Sequence, residues 1–177
     1  MKILNLYYSA TGNTDKVAGQ IEKAVWSEGH EVTTVKVTKD DIEPDILAYD
    51  LVLIGSGVYM WMPGKPLMEL ISKLIERYRT EEIKAAAPRR PGRKVVVYCT
   101  YGGGHTGANE AVPAVKYMGQ LFDHLGYEII AEWYIPGEFH GKFENLNVAG
   151  RLGRISGRPN EGDLQEIYEK VIGILKV

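Results

Sequence analysis

The chain has 177 residues, of which 45% are hydrophobic and 25% charged. That length and apolar content suit one globular domain over residues 1–177, with one sizeable core, and argue against a disordered chain. Lys plus Arg number 21 against 23 Asp plus Glu, a formal net charge of −2, which argues against a dedicated nucleic-acid binder. A single cysteine, Cys99, rules out an intramolecular disulfide framework and any site needing several thiolates from this chain.

The apolar run at residues 3–8 is too short for a signal-peptide core and reads as a first strand. Residues 51–63 form the most apolar later stretch, but they contain two glycines and fall short of the roughly 18–20 residues a membrane span requires. No membrane span and a cytoplasmic location are therefore expected.

Strands and helices alternate along the chain. Residues 3–8 form an apolar, aromatic run broken only by Asn5, as in a strand covered on both faces. Val17, Ile21, Ala24 and Val25 repeat at helical spacing over residues 14–28, and Gly29 ends that helix. Alternation of Val32, Val35 and Val37 marks a second strand over 31–37, and residues 51–54 a third. Leu67, Leu70, Ile71, Leu74 and Ile75 stripe a helix over 66–78. A fourth strand is expected at 94–100, a helix at 108–125, a fifth strand at 128–135 and a last helix at 160–176. Asn160 is the expected N-cap of that helix, with Asp163 three residues on in a capping-box position. Such alternation predicts an α/β doubly wound three-layer sandwich with a five-stranded parallel sheet in the order 2-1-3-4-5.

Two segments interrupt the regularity. Residues 80–93 carry Pro88, Pro91 and the cations Lys84, Arg89, Arg90 and Arg93. This segment leads into a strand, which places it at the edge opposite the ligand edge, where a solvated charged face is expected. Residues 136–159 follow a strand and so lie at the C-terminal edge of the sheet, where ligands bind in open α/β folds. A loop of that length in a compact domain is usually functional or mobile.

Three loops at the C-terminal edge carry the chemistry. Between first strand and first helix stands Tyr8-Ser9-Ala10-Thr11-Gly12-Asn13-Thr14. Hydroxyl and amide donors over a helix N-terminus, with a glycine for close approach, make a phosphate cradle. It lacks the lysine of G-x-x-x-x-G-K-[ST], so the donors are neutral and suit one phosphate monoester. After the third strand, Gly55-Ser56-Gly57-Val58-Tyr59-Met60-Trp61-Met62-Pro63 offers flat, polarisable side chains that could flank a flat ring or form a small satellite core. After the fourth, Thr100-Tyr101-Gly102-Gly103-Gly104-His105-Thr106-Gly107 exposes backbone donors and acceptors.

Competing motifs fit less well. Gly102-x-Gly104-x-x-Gly107 matches a dinucleotide fingerprint but does not open the first βαβ unit, and the acid it needs is missing, Asp123 lying inside the predicted helix. A receiver domain would need an Asp ending the third strand, where this chain has Ile54-Gly55-Ser56. Gly55-Ser56-Gly57 has the wrong spacing for a nucleophile elbow. His30, His105, His124 and His140 show no metal-ligand spacing, and no metal site is expected. His105 alone falls in the proposed crevice, as a donor to the edge of a bound ring, a contact to a second flat ligand, or an exposed residue; Cys99 reads as inert core.

Taken together, strand, Ser9-x-Thr11-Gly12-Asn13-Thr14 and helix resemble the flavodoxin signature, while Gly55-Ser56-Gly57-Val58-Tyr59 and residues 100–107 resemble that family's second and third flavin loops. The resemblance covers nearly the whole chain. It implies noncovalent FMN, with the phosphate on Ser9, Ala10, Thr11, Gly12, Asn13 and Thr14. It implies an isoalloxazine lined by Val58, Tyr59, Met60 and Trp61, and a pyrimidine edge met by Thr100, Tyr101, Gly102, Gly103, Gly104 and His105. The implied function is electron transfer with redox partner proteins. Two features depart from a typical flavodoxin: the near-neutral charge, and the extended loop before the last helix, which looks more like flavodoxin-like NAD(P)H:quinone reductases. In that loop Arg151, Arg154 and Arg158 either meet an anionic partner or are surface arginines. An FMN-dependent reductase of small quinone-type acceptors, and an interaction module that keeps the fold without flavin, are the alternatives.

Overall fold

A computed structural model describes residues 1–38 and 43–176. Five strands, β1 (Ile3–Tyr8), β2 (Val32–Lys36), β3 (Leu51–Tyr59), β5 (Lys94–Tyr101) and β6 (Glu128–Pro136), form a parallel sheet in the order β2-β1-β3-β5-β6. This is the doubly wound order expected from the alternation of elements. A two-residue strand, β4 (Met62–Pro63), adds an antiparallel pairing to the end of β3. The helices are α1 (Asn13–Ser27), α2 (Lys65–Tyr78), α3 (Val112–His124), the single-turn α4 (Leu146–Ala149) and α5 (Glu161–Leu175).

Side chains alternate across the strands, so each strand feeds two cores. Leu4, Leu6, Val52, Ile54, Val95 and Val97 pack with α2 and α3. Ile3, Tyr7, Leu51, Leu53, Val96 and Tyr98 pack with α1 and α5 on the other face. One polar residue interrupts this layer. Asn5 is fully buried, donates to the Ala18 carbonyl at 3.2 Å and accepts from the Tyr98 hydroxyl at 2.9 Å, so its amide ties β1 to both α1 and β5.

Some boundaries differ from the sequence reading. β3 runs on to Tyr59 because Gly55 and Ser56 are paired on both sides, Ser56 with Tyr8 and Cys99, and Gly57 is paired with Thr100. Glycines carry no apolar signal, so only the neighbouring strands define that extension. α3 begins at Val112 rather than 108: Pro113 is tolerated only in a helix's first turn, and a 3₁₀ turn over Gly107–Glu110 fills the gap. In α5, the Asn160 side chain accepts from the Asp163 N–H at 3.1 Å and Asp163 accepts from the Asn160 N–H at 2.8 Å, the capping box the spacing predicts.

The basic segment 80–93 lies at the sheet edge opposite the C-terminal loops. Its arginines make structural contacts, with Arg90 and Arg93 partly buried and Arg89 exposed. Arg90 pairs with Glu82 and donates to the Leu125 carbonyl, Arg93 pairs with Asp50 at 3.0 Å, and Arg89 donates to the Tyr127 carbonyl. Among the described residues no helix is long and apolar enough to cross a membrane.

Candidate functional site

The turn from β1 to α1 holds itself together before it can hold a ligand. Ser9 is buried, and its Oγ accepts from the N–H groups of Gly12 (3.2 Å) and Asp15 (3.3 Å). Gly12, at φ +96°, caps α1 in a backbone region that favours glycine. The Thr14 hydroxyl shares a 2.8 Å hydrogen bond with that of Thr100, fastening this turn to the loop after β5. Asn13 Nδ2 donates to the Glu138 carbonyl at 2.8 Å, and the Ala10 N–H donates to the Tyr59 hydroxyl at 3.1 Å. The exposed Thr11 side chain and the N–H groups of Asn13 and Thr14, the first-turn donors of α1 that Ser9 does not take, are what this turn offers a ligand.

An acid beside a phosphate cradle would be unfavourable unless neutralised. Asp15 sits in the first turn of α1, but its carboxylate pairs with Lys36 on β2 at 2.7 Å and accepts from the Tyr7 hydroxyl at 3.0 Å. Burial alone would raise the Asp15 pKa; hydrogen bonds from Lys36, Ser9 and Tyr7, with the Lys36 charge, outweigh it and hold the carboxyl below its usual range.

The second loop is a hairpin. β3 turns into β4 through Met60 and Trp61, at φ 50° and 67°, both left-handed. Two-residue hairpin turns require such angles, but neither residue is a glycine or asparagine, so the turn is strained by of order 1–3 kcal/mol per residue. It holds two large apolar side chains outward, Met60 80% exposed and Trp61 56%. Beneath it, Ser56 Oγ donates to the Gly57 carbonyl (2.7 Å) and accepts from the Gly64 N–H (2.9 Å).

Between these loops opens a cleft of ≈ 480 Å³. Thr11 and Asn13 line its cradle end, Val58, Tyr59, Met60 and Trp61 one wall, and Thr100, Tyr101, Gly102, Gly103 and His105 its floor and edge. Of the residues singled out from the sequence, Ser9, Ala10, Gly12 and Thr14 build the turn without lining the cleft. Gly104 is turned away: its carbonyl accepts from the Arg151 N–H at 2.9 Å, and a Cβ there would stand 2.8 Å from Leu146. Tyr101 is 7% exposed and contributes mainly to the core beneath.

The opposite wall comes from the segment between β6 and α5, where Phe139, His140, Phe143 and Leu146 line the cleft. Sequence reasoning placed this segment at the ligand edge but assigned none of these residues to the site; it put His105 alone of the histidines in the crevice, whereas His140 lines the cleft as well. Phe139 packs on Gly102, where a Cβ would come within 2.2 Å of its ring, and lies 6.2 Å from Phe143, centroid to centroid. Asn147 anchors the wall by accepting from the Phe139 N–H (2.7 Å) and donating to its carbonyl (2.9 Å). Of the segment's arginines, Arg158 pairs with Asp163 on α5, whereas Arg151 and Arg154 are exposed without an ion pair among the described residues.

The donor set fits a phosphate monoester, with neutral hydroxyl and backbone donors, a helix N-terminus, and the first-turn Asp15 neutralised by Lys36; the two carboxylates that line the cleft are also engaged, Glu110 by the His105 and Thr106 N–H groups and Glu138 by the Gly157 N–H. The cleft beside it is apolar, aromatic and large enough for a planar ring.

Comparison with known proteins agrees with this arrangement. A flavodoxin domain model matches residues 4–86, which hold the cradle and the hairpin. The flavodoxin of Megasphaera elsdenii is 31% identical over 99 residues, 56% of this chain and 64% of that protein, so the match spans less than two thirds of its length. An uncharacterized protein of Methanocaldococcus jannaschii is 27% identical over 183 residues, 99% of each chain. In fold, the chain matches crystalline flavodoxin 2 of Bacillus cereus with a TM-score of 0.69 over 99% of each chain, at 19% identity.

The chain is flavodoxin-like. Its cradle and hairpin lie within the stretch matched by the family model, whereas the Phe139–Leu146 wall of this flavodoxin-like chain lies outside it.

Proposed function

We propose that this flavodoxin-like chain binds FMN noncovalently and transfers electrons to and from redox partner proteins. The observation that carries the proposal is the junction of a neutral, donor-lined helix N-terminus with an aromatic cleft of ≈ 480 Å³. Thr11 and the first-turn N–H groups of α1 would hold the phosphate; Val58, Tyr59, Met60 and Trp61 would border the ring, and Gly102, Gly103 and His105 its polar edge. When bound, FMN supplies the redox chemistry; the chain supplies position and surroundings. Cys99 takes no part. It is buried, and burial pushes its thiol far up from the ordinary value.

One observation favours a second reading, an FMN-dependent reductase of small quinone-type acceptors using NAD(P)H. Phe139, His140, Phe143 and Leu146 add a second aromatic and apolar lining to the cleft, beside that of Tyr59 and Trp61, and such a lining suits a small flat acceptor. Anaerobic reduction of the purified protein, followed by its visible spectrum after incubation with FMN, tests both. Uptake of one FMN with two separate one-electron waves supports the carrier. Uptake with a single two-electron wave, and oxidation of NAD(P)H dependent on added quinone, supports the reductase. No uptake of FMN refutes both and leaves a fold used for interaction alone.

A further inference from the structure

Tyr59 lines the cleft and also reaches the phosphate turn. The resemblance puts it on the ring wall, yet its hydroxyl lies against the phosphate turn, accepting from the Ala10 N–H at 3.1 Å. Three contacts hold it there. Its ring meets Tyr8 edge-on, centroids 5.9 Å apart at 64°. Its hydroxyl lies over Gly57, where a Cβ would stand 2.7 Å away, so only glycine leaves the space. The short antiparallel pairing of Tyr59 with Met62 fixes the backbone from which the side chain projects.

The hydroxyl therefore uses a lone pair on Ala10 and keeps its proton. No described group accepts that proton. Burial raises the Tyr59 pKa, against the opposing pull of the Ala10 N–H, so the phenol is a donor at neutral pH. A side chain that lines the cleft thus brings a preorganised, unspent donor to the point where cradle and cleft meet.

We infer that the Tyr59 hydroxyl donates to the phosphate of the bound flavin nucleotide and so selects the phosphorylated flavin over the free one. The inference rests on the FMN reading above. Ala10 positions the oxygen, Gly57 makes room for it, and the proton goes to a phosphate oxygen as a charge-assisted hydrogen bond.

The experiment compares FMN with riboflavin, which lacks the phosphate, by titration into the apoprotein. Tyr59→Phe keeps the ring and removes the hydroxyl. The FMN dissociation constant is expected to rise roughly 10- to 100-fold, the worth of one hydrogen bond to a charged group, while riboflavin binding is unchanged. Unchanged riboflavin binding also shows that the variant is folded. Gly57→Ala, whose methyl would displace the hydroxyl together with the ring that carries it, is expected to weaken both flavins, FMN more than riboflavin. Equal weakening of both flavins would assign Tyr59 to the ring wall alone and overturn the inference, as would an unchanged FMN affinity in Tyr59→Phe. A wild-type chain that takes up neither flavin overturns the FMN reading itself, and the inference with it.

Discussion

Gly102→Ala tests whether the cleft's outer wall depends on the absence of a single methyl group. A Cβ at position 102 would stand 2.2 Å from Phe139 Cζ and 2.3 Å from Cε2. Carbon atoms in contact sit at roughly 3.5–4.0 Å, so the ring must retreat by more than about 1 Å. It cannot do so freely: Asn147 grips the Phe139 backbone from both sides at 2.7 and 2.9 Å, and the Glu138 carbonyl is held by Asn13. Overpacking of this kind costs about 1–3 kcal/mol, and since Phe139 is half-buried the lower half of that range is expected. Urea denaturation of the apoprotein measures it as a lower midpoint at unchanged slope. Phe139→Ala removes the ring and with it the clash. The double variant should therefore be more stable than the sum of the two single losses predicts, by about 1 kcal/mol. A neutral Gly102→Ala, or strictly additive losses, would refute the close packing of Phe139 on the third loop as the support of that wall.

Thr11→Val keeps volume and removes the exposed hydroxyl at the cradle end of the cleft; FMN affinity should fall roughly 10- to 100-fold by titration, and no change would place the phosphate elsewhere. Asp15 is held below its usual pKa, so the stability it adds is present above the unfolded-state value of about 4 and is lost as pH falls through the folded value. Urea midpoints should therefore fall less between pH 7 and pH 3 in Asp15→Asn than in wild type, and equal falls would show that the Lys36 pairing contributes nothing. Asn160→Ala removes the cap of α5 and should cost about 1 kcal/mol in the same assay, with Asn160→Asp nearly neutral as the control. The buried Cys99 thiol should react with a thiol-directed chromogenic disulfide only at the rate of unfolding, and rapid reaction of the native protein would contradict its burial.

Much of the fold was legible because it is encoded locally. The α5 capping box needs only Asn160 and Asp163 three residues apart, and the sheet's two cores follow from the largely apolar runs at residues 3–7 and 95–98, because successive side chains of a strand point to opposite faces. The cradle was legible for the same reason: Ser9, Thr11, Gly12, Asn13 and Thr14 are contiguous, and a strand and a helix fix which way their turn faces. Strand order then implied that the second and third loops would meet it.

What the tertiary structure decided is how each of these side chains is used. Asn13 is held by Glu138, 125 positions away in sequence; Thr14 by Thr100, 86 away; Ala10 by Tyr59, 49 away. These partners give three expected ligand groups a fastening role as well and bring a tyrosine hydroxyl to the phosphate turn. The wall of Phe139, Phe143 and Leu146 belongs to a segment with no sustained helical or strand period, so its sequence carries no repeat from which side-chain direction can be read. Direction there comes from single contacts, Phe139 on Gly102 and Asn147 on the Phe139 backbone, and such contacts exist only once distant parts of the chain have packed together.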